Sequence, residues 1–212
     1  STDCDNTDCE DAAWVDDITF PPAYMESEVT PGDVNMDGII NILDVIVIIN
    51  MILGVEEESA LADLNGDGSI NIQDIILVIN LILGQRVDNA SRAQLFDTGS
   101  AMKVQSDGYI AALKMTLIHE GLFSLELTDD AYLASYNTER NTTTIIVVAP
   151  ETDHLFSYKG TFSIIDIEAA SSDDYIQVML PSRTSLSVAY PNPFNPSTTI
   201  SYTLANTADI NL

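Results

Sequence analysis

Two kinds of hydrophobic pattern divide the chain. Residues 45–54 and 75–84 are apolar almost throughout, with Asn50 and Asn80 as their only polar side chains. Each run ends in a glycine and has the length of a short helix, so we predict two helices that are apolar on every side. From residue 92 to about 181, apolar and polar side chains instead alternate in short runs. This second pattern predicts β-strands.

The alternating region has the spacing of an antiparallel β-sandwich. Leu113, Met115 and Leu117 alternate with polar side chains, and the same holds around residues 123–128 and 162–164. Turn signals separate the predicted strands at Asp107-Gly108, Glu120-Gly121, Asp129-Asp130, Asn137, Asn141 and Lys159-Gly160. The expected fold class is therefore α+β, with a small all-α domain followed by an antiparallel β-sandwich.

The apolar helices need cover on all sides. Neither run approaches the roughly 20 residues that cross a bilayer, so we expect no membrane insertion. Two short helices cover only one side of each other, and the remaining apolar surface is expected to contact another domain or another chain. We expect these four residues to be buried: Ile46, Ile49, Ile76 and Ile79.

A twelve-residue pattern of oxygen-bearing side chains precedes each helix, with a repeat period of 63 − 33 = 30 residues. Oxygen atoms at positions 1, 3, 5, 9 and 12 can converge on one cation, position 7 adds a backbone carbonyl, and glycine at position 6 permits the reversal. The predicted ligands of the first loop are Asp33, Asn35, Asp37, Ile39, Asn41 and Asp44. Those of the second loop are Asp63, Asn65, Asp67, Ser69, Asn71 and Asp74.

The donor set favours calcium as the cation. Magnesium demands a tighter octahedron and retains more water, whereas oxygen ligands spread over twelve residues suit a larger and more adaptable ion. Three carboxylates in each loop repel one another without a divalent ion, so we expect metal binding and folding to be coupled. The alternative interpretation is a pair of Asx-rich surface turns. The prediction is two Ca²⁺ ions per chain.

Each repeat consists of a calcium loop and an exiting helix, with Asp rather than Glu at position 12 and no helix ahead of the loop. This arrangement, over residues 30–86, resembles a type I dockerin. The resemblance implies calcium-dependent binding to cohesins, which are β-sandwich modules that join secreted proteins into assemblies. The chain departs from the family on its helices, which lack the usual Lys or Arg on the solvent face.

Two further segments resemble known modules. The β-region contains a series of sequence motifs that starts at Ala111 and continues through residues 144–148 to 160–164. The order of these motifs resembles that of a shortened cohesin. The sequence motif Tyr190-Pro-Asn-Pro-Phe-Asn-Pro196 resembles the first part of the C-terminal sorting domain of type IX secretion. This resemblance implies an extracellular or cell-surface location in a Gram-negative bacterium. After it, Thr199 to Leu204 alternates like a strand, which we expect to seek a sheet edge.

These patterns divide the chain into four expected segments. They are an acidic leader at 1–29, the dockerin-like domain at 30–86, the β-sandwich at 87–183 and a Pro-rich tail with a strand at 184–212. Cys4 and Cys9 lie in the leader, where they can form a local disulfide or an intermolecular bridge. A chain that begins at Ser1 is expected to be a mature, exported product.

Charge and histidine usage exclude several classes of function. With 33 acidic and 7 basic residues the net charge is −26, which repels nucleic acid. His119 and His154 are the only histidines and sit in no nucleophile motif, while Asp129-Asp130 and Asp173-Asp174 read as solvated turns. We therefore expect no enzyme, but an assembly protein whose dockerin binds a cohesin-like sandwich, including that of another copy, to form a fibre. The alternative is a dockerin-bearing component of a cellulosome-like, polysaccharide-degrading surface complex.

Overall fold

The computed structural model describes residues 30–180, together with 185–186, 193, 197–199 and 202–203. The predictions for the leader at 1–29, including Cys4 and Cys9, lie outside the described residues. Most of the tail also lies outside them, apart from the two short strands named below.

The helical part contains two α-helices, α1 (Ile42–Ile52) and α2 (Ile72–Leu83), with a 3₁₀ turn at Ala60–Ala62 between them. Each helix begins three residues before the apolar run that predicted it. The reason is local, because Asn41 and Asn71 cap the two helices with side-chain oxygens. The prediction that each helix ends at a glycine is confirmed. Gly54 and Gly84 both adopt positive φ just beyond the C-terminal ends of their helices.

The β part is one seven-stranded sheet in the order β4-β5-β3-β6-β2-β1-β7. Its strands are β1 (Arg92–Asp97), β2 (Ala101–Ser106), β3 (Ala112–Leu127), β4 (Ala131–Glu139), β5 (Thr142–Pro150), β6 (His154–Ala170) and β7 (Gln177–Met179). Neighbouring strands pair antiparallel except β1 and β7, which are parallel. In the tail, β8 (Ser185–Leu186) pairs antiparallel with β9 (Tyr202–Thr203).

Side-chain alternation gives the sheet a hydrophobic core on each side. Leu113, Met115, Leu117, Ile145 and Val147 pack with residues of β1, β2 and β6 in one cluster. Their neighbours Ala112, Ile146 and Val148 point to the opposite face and pack with the helices in a second cluster. The sheet therefore curls around its inner core and carries the helical part on its outer face. The expected α+β architecture is confirmed.

Three predicted turns are wrong. Glu120-Gly121 and Lys159-Gly160 lie inside β3 and β6, which run for 16 and 17 residues, and Asn137 lies within β4. The glycines mark a register shift instead, because the β3–β6 pairing slips between Glu120 and Ser124. Gly160 has φ +103°, and a side chain there would collide with the carbonyl oxygen of Leu122.

Candidate metal centres and docking face

Asp44 closes the first loop from a fully buried position. Its Oδ1 accepts the N–H groups of Val34 at 2.8 Å and Asn35 at 3.1 Å, and its Oδ2 accepts Asn41 N–H at 2.8 Å. Asn41 in turn accepts Leu43 N–H, and the two side chains form a capping box at the start of α1. One carboxylate therefore joins the beginning of the loop to the first turn of the helix.

The first half of the loop is folded around Asp33. Its Oδ1 accepts Asp37 N–H at 3.0 Å and its Oδ2 accepts Gly38 N–H at 2.9 Å, where Gly38 has φ +87°. Asn35 Oδ1 also accepts Asp37 N–H, and Asp37 Oδ1 accepts Ile39 N–H. These bonds use some of the roughly four lone pairs of each carboxylate and leave others for a cation.

The second loop repeats this arrangement bond for bond. Asp74 is fully buried and accepts N–H groups from Leu64, Asn65 and Asn71, while Asp63 accepts those of Asp67 and Gly68. The remaining predicted ligands, Ser69 and Asn71, are also in contact, since the Asn71 amide donates to the Ser69 carbonyl. Each loop thus brings its six predicted residues together in one turn of chain.

The donor chemistry of both loops fits a hard cation. Every candidate ligand is a carboxylate, amide or carbonyl oxygen, the set that Ca²⁺ prefers. Among the described residues, however, no three Asp, Glu, His or Cys side chains are grouped closely enough to form a metal cluster as they stand. Their carboxylates instead accept backbone N–H groups of the loop.

The helix residues expected to be buried are so in three of four cases. Ile49, Ile76 and Ile79 are at most 6% exposed, whereas Ile46 is half-buried. The reason is that the sheet covers one side of the helix pair, and residues pointing elsewhere remain accessible. Among the helix residues, Leu43, Leu77 and Leu81 remain 38–59% exposed.

The covered side of the helices packs on the outer face of β3, β5 and β6 of the same chain. Ile48, Ile75 and Val78, all at 0% exposure, share one core with Ile146 and Val148. Small residues allow the close approach, since the same core contains Ala111, Ala112 and Ala170. We define this outer face of Ala111, Ala112, Ile146, Val148 and Ala170 as the docking face.

Polar contacts hold both ends of the contact. Asn80, the only polar side chain of its apolar run, donates to the Ser172 carbonyl at 3.0 Å. At the other helix, Asn137 of β4 donates to the Leu53 carbonyl at 3.0 Å. Both bonds satisfy groups that would otherwise be half-buried without a partner, and the Leu53 bond satisfies a carbonyl at the end of α1.

The connection between helix and sheet is also fixed. Gln85 and Asn89 both donate to the carboxylate of Asp173, and the Arg86 N–H donates to the Ser172 hydroxyl at 3.3 Å. The Arg86 guanidinium lies 4.7 Å from the centre of the Tyr109 ring. Asp173 is an exposed bend residue, as expected, and its carboxylate also anchors this connection.

The second loop and the sheet share one electrostatic environment. Burial raises the pKa of the Tyr175 hydroxyl, and the negative charges of Glu168, Asp67 and Asp74 raise it further. Tyr175 belongs to the segment between β6 and β7. Asn65 of the second loop lines one cavity with Ala170 and Ser172, so this loop lies beside the docking face.

Sequence reasoning missed Asn80, Asn137 and Ser172, which join the two parts. A polar residue inside an apolar helix was the available signal for Asn80, because such a residue needs a partner when it is covered. Asn137 gave no such signal, since its position in β4 was read as a turn.

The comparisons with known proteins bear mainly on the helical part. Residues 31–83 match the dockerin type I domain. The matched region contains both loops and both helices, and we call it the dockerin region below. No curated protein matches the sequence.

One solved structure is similar to the chain. It is a non-cellulosomal cohesin from the hyperthermophilic archaeon Archaeoglobus fulgidus, at 15% identity and a TM-score of 0.34, covering 42% of this chain and 84% of the cohesin.

The two histidines lie in the β part and contact neighbouring strand residues. The His119 ring is buried, stacks on Phe123 at 4.5 Å and contacts the Thr143 hydroxyl, while His154 contacts Ser157. Both act as packing or strand-end residues. Within the described part of the chain, neither helix has the length and apolar run that crossing a bilayer requires.

Proposed function

We propose that this chain is a secreted, non-enzymatic assembly protein whose dockerin region is folded by calcium and docks on the outer face of a β-sheet. The observation that carries the proposal is the contact itself. Both apolar helices bury their inner sides on the docking face, and dockerin type I domains are assembly modules that bind cohesins.

Two Ca²⁺ ions per chain would be held by the twelve loop residues predicted from the sequence. Asp33, Asp37 and Asp44, with their counterparts in the second loop, supply the negative charge, and the amide and carbonyl oxygens complete the set. In this proposal calcium acts on structure only, because a loop with three unneutralised carboxylates does not hold the first turn of its helix in place.

Assembly would follow from exchanging this contact between molecules. Each chain carries both the dockerin region and a docking face, so the dockerin region of one copy can dock on the sheet of the next. Such a head-to-tail contact continues into a filament unless the rotation between copies closes a ring. The partner is thus the cohesin-like sandwich of another copy, and calcium also offsets part of the −26 charge that separates like molecules.

A second candidate function has its own support. Leu43, Leu77 and Leu81 leave apolar surface of the helices exposed. A separate cohesin could bind there, which would make the chain a dockerin-bearing component of a cellulosome-like, polysaccharide-degrading surface complex. Capture of an immobilised cohesin by a chain that stays monomeric in calcium would favour this candidate.

The proposed location is outside the cell, on the surface of a Gram-negative bacterium. Its support is the Pro-rich wording of residues 190–196, which resembles a type IX sorting domain, together with the strongly acidic composition.

The test of the proposal is the mass of the particle with and without calcium. Size exclusion with light scattering, followed by negative-stain microscopy, should show calcium-dependent association into linear particles. Asp37→Ala with Asp67→Ala should abolish this association, while Asp129→Ala, an exposed carboxylate outside the loops, should not. A chain that stays monomeric in saturating calcium at high concentration, and binds no cohesin, would overturn the proposal.

A further inference from the structure

The sheet has one long edge that no described residue pairs with. β7 at the opposite edge is only three residues long, whereas β4 at the open edge runs for nine. Antiparallel pairing alternates, so every second residue of β4 directs its N–H and C=O groups away from β5. These groups form a row of free donors and acceptors, which is a template for another strand.

The open edge lacks the usual protection against pairing. From Ala131 to Thr138 it contains no charged residue and no proline, in a chain that carries 33 acidic side chains. Natural edge strands are commonly guarded by charges, prolines or bulges on the exposed side. A second copy of the chain can therefore approach residues 131–138 without direct charge repulsion.

We propose that β4 pairs antiparallel with β4 of a second copy, with Ser135 opposite Ser135 at the two-fold axis. In this register residues whose numbers sum to 270 face each other. Ala134 meets Tyr136, a small residue against a large one that is 45% exposed in the single chain. At the ends, Asp130 meets Arg140 of the other copy.

The charges at the ends favour this register over its neighbours. Arg140 forms no ion pair with any described residue. The chain has 33 acidic residues and only 7 basic ones, so an arginine without an acidic partner is unexpected. Arg140 occupies the tip of the β4–β5 hairpin at φ +58°. Shifting the register by two residues places Asp130 opposite Thr142 or Thr138 and leaves Arg140 unpaired. The two-fold axis makes two Asp130–Arg140 pairs for each dimer.

This contact is separate from docking of the dockerin region. Among the described residues, β4 is paired with β5 along its whole length and meets the dockerin region mainly through the Asn137–Leu53 bond and the packing of Tyr132 and Leu133, so the β4 dimer should persist in excess chelator. Calcium-dependent association then measures the proposed function, and calcium-independent dimerisation measures the edge pairing. Failure of one leaves the other standing.

Sedimentation equilibrium of the full chain, in chelator and in calcium, tests the proposal. Wild type should dimerise in both conditions. Ser135→Lys places two like charges against each other and should give a monomer in chelator, whereas the matched Ser135→Thr should still dimerise. A wild type that is monomeric in chelator overturns the proposal, and so does a Ser135→Lys dimer.

Charge exchange tests the register. Arg140→Asp or Asp130→Arg alone should weaken the dimer by roughly 2- to 30-fold, as expected for loss of two exposed ion pairs. The double variant should recover most of that loss, which a damaged fold would not do. Equal weakening in the single and double variants would refute this register.

Crosslinking tests the geometry directly. With Cys4 and Cys9 replaced by serine, Ser135→Cys should form an intermolecular disulfide, since residues facing each other at a non-hydrogen-bonded position are about 4.5 Å apart at Cα. Glu139→Cys on the same strand should not, because it faces Ala131. If instead association is lost only when residues 199–204 are changed, the occupant of the edge is that tail strand, and the proposal is wrong.

Discussion

Replacing Asp44 with alanine should unfold the first calcium loop and weaken its helix. Asp44 is fully buried and accepts three backbone N–H groups, from Val34, Asn35 and Asn41. A buried N–H left without a partner costs about 1–3 kcal/mol, and loss of an N-terminal capping interaction costs about 0.5–2 kcal/mol. Because the Asn35 and Asn41 groups are only partly buried, we expect a total loss of about 2–5 kcal/mol in the presence of calcium.

That loss is a large part of the roughly 5–15 kcal/mol by which a domain is stable. Denaturation in saturating calcium, followed by circular dichroism at the helix wavelength, should show it. Asp44→Asn retains one acceptor oxygen and should fall between alanine and wild type. Asp129→Ala, which removes the same charge from an exposed turn, should leave stability unchanged within about 0.5 kcal/mol.

Calcium titration gives the second readout of the same variant. Calorimetry should find two sites in wild type and one in Asp44→Ala. In excess chelator the helical signals of wild type and variant should converge, because the proposed function requires calcium for the loops to fold. An Asp44→Ala chain as stable as wild type in calcium, or a wild type whose helices resist chelation, would refute this reasoning.

The remaining predictions concern single contacts outside the loop carboxylates. Asn80→Ala should cost about 0.5–1.5 kcal/mol by thermal unfolding through loss of its bond across the docking contact, whereas Asn50→Ala, whose amide reaches an exposed glutamate, should be near neutral. Backbone and hydroxyl donors of Arg92 and Ser91 lower the pKa of Asp107, so its contribution to stability is present above the ordinary pKa near 4 and is lost as pH falls below it. Wild type should therefore exceed Asp107→Asn in stability at pH 7, and the gap should close in acid; a constant gap would contradict this. Gly160→Ala should cost at least about 1 kcal/mol, because φ +103° disfavours a side chain and the backbone opposite leaves no room for one.

The shape of the two loops was predictable from sequence because each oxygen-bearing side chain of the repeat lies at a position fixed by a local turn. Oxygen side chains at set spacings and Gly38 at position 6 predict one loop shape wherever they occur, and the hydrogen bonds of Asp33 and Asp44 have that shape. The helix starts were misplaced by three residues because the apolar runs begin one turn after the residues that cap the helices. The capping pattern from Asn41 to Asp44 was present in the sequence and predicts the observed start.

The docking contact was only half predictable. An all-apolar helix requires cover, and that inference identified Ile49, Ile76 and Ile79 as buried. Which surface provides the cover depends on the outer face of β5, and residues 145–149 read as one continuous apolar run. Such a run means a strand buried on both sides, with Ile146 facing the helices and Ile145 facing the inner core. The sequence pattern alone does not say whether the second cover lies in the same chain or in a neighbour.

The long strands were divided wrongly for a related reason. Gly121 and Gly160 have the appearance of turn residues, and the local pattern on each side reads as a complete strand. Pairing across the sheet decides otherwise, because β3 and β6 continue past both glycines and absorb them as an irregularity. Tertiary context of this kind is not visible in a window of a few residues.

The most direct test of calcium-dependent docking mixes two chains that have each lost half of the contact. One carries Asp44→Ala with Asp74→Ala, which removes the dockerin region but keeps the docking face. The other carries Ile146→Glu, which damages the docking face but keeps both calcium loops. Ser135→Lys in both chains prevents pairing through β4. In calcium each should be monomeric alone, and together they should form a heterodimer that sedimentation velocity detects and chelator dissolves. A mixture that remains monomeric in saturating calcium would contradict the account.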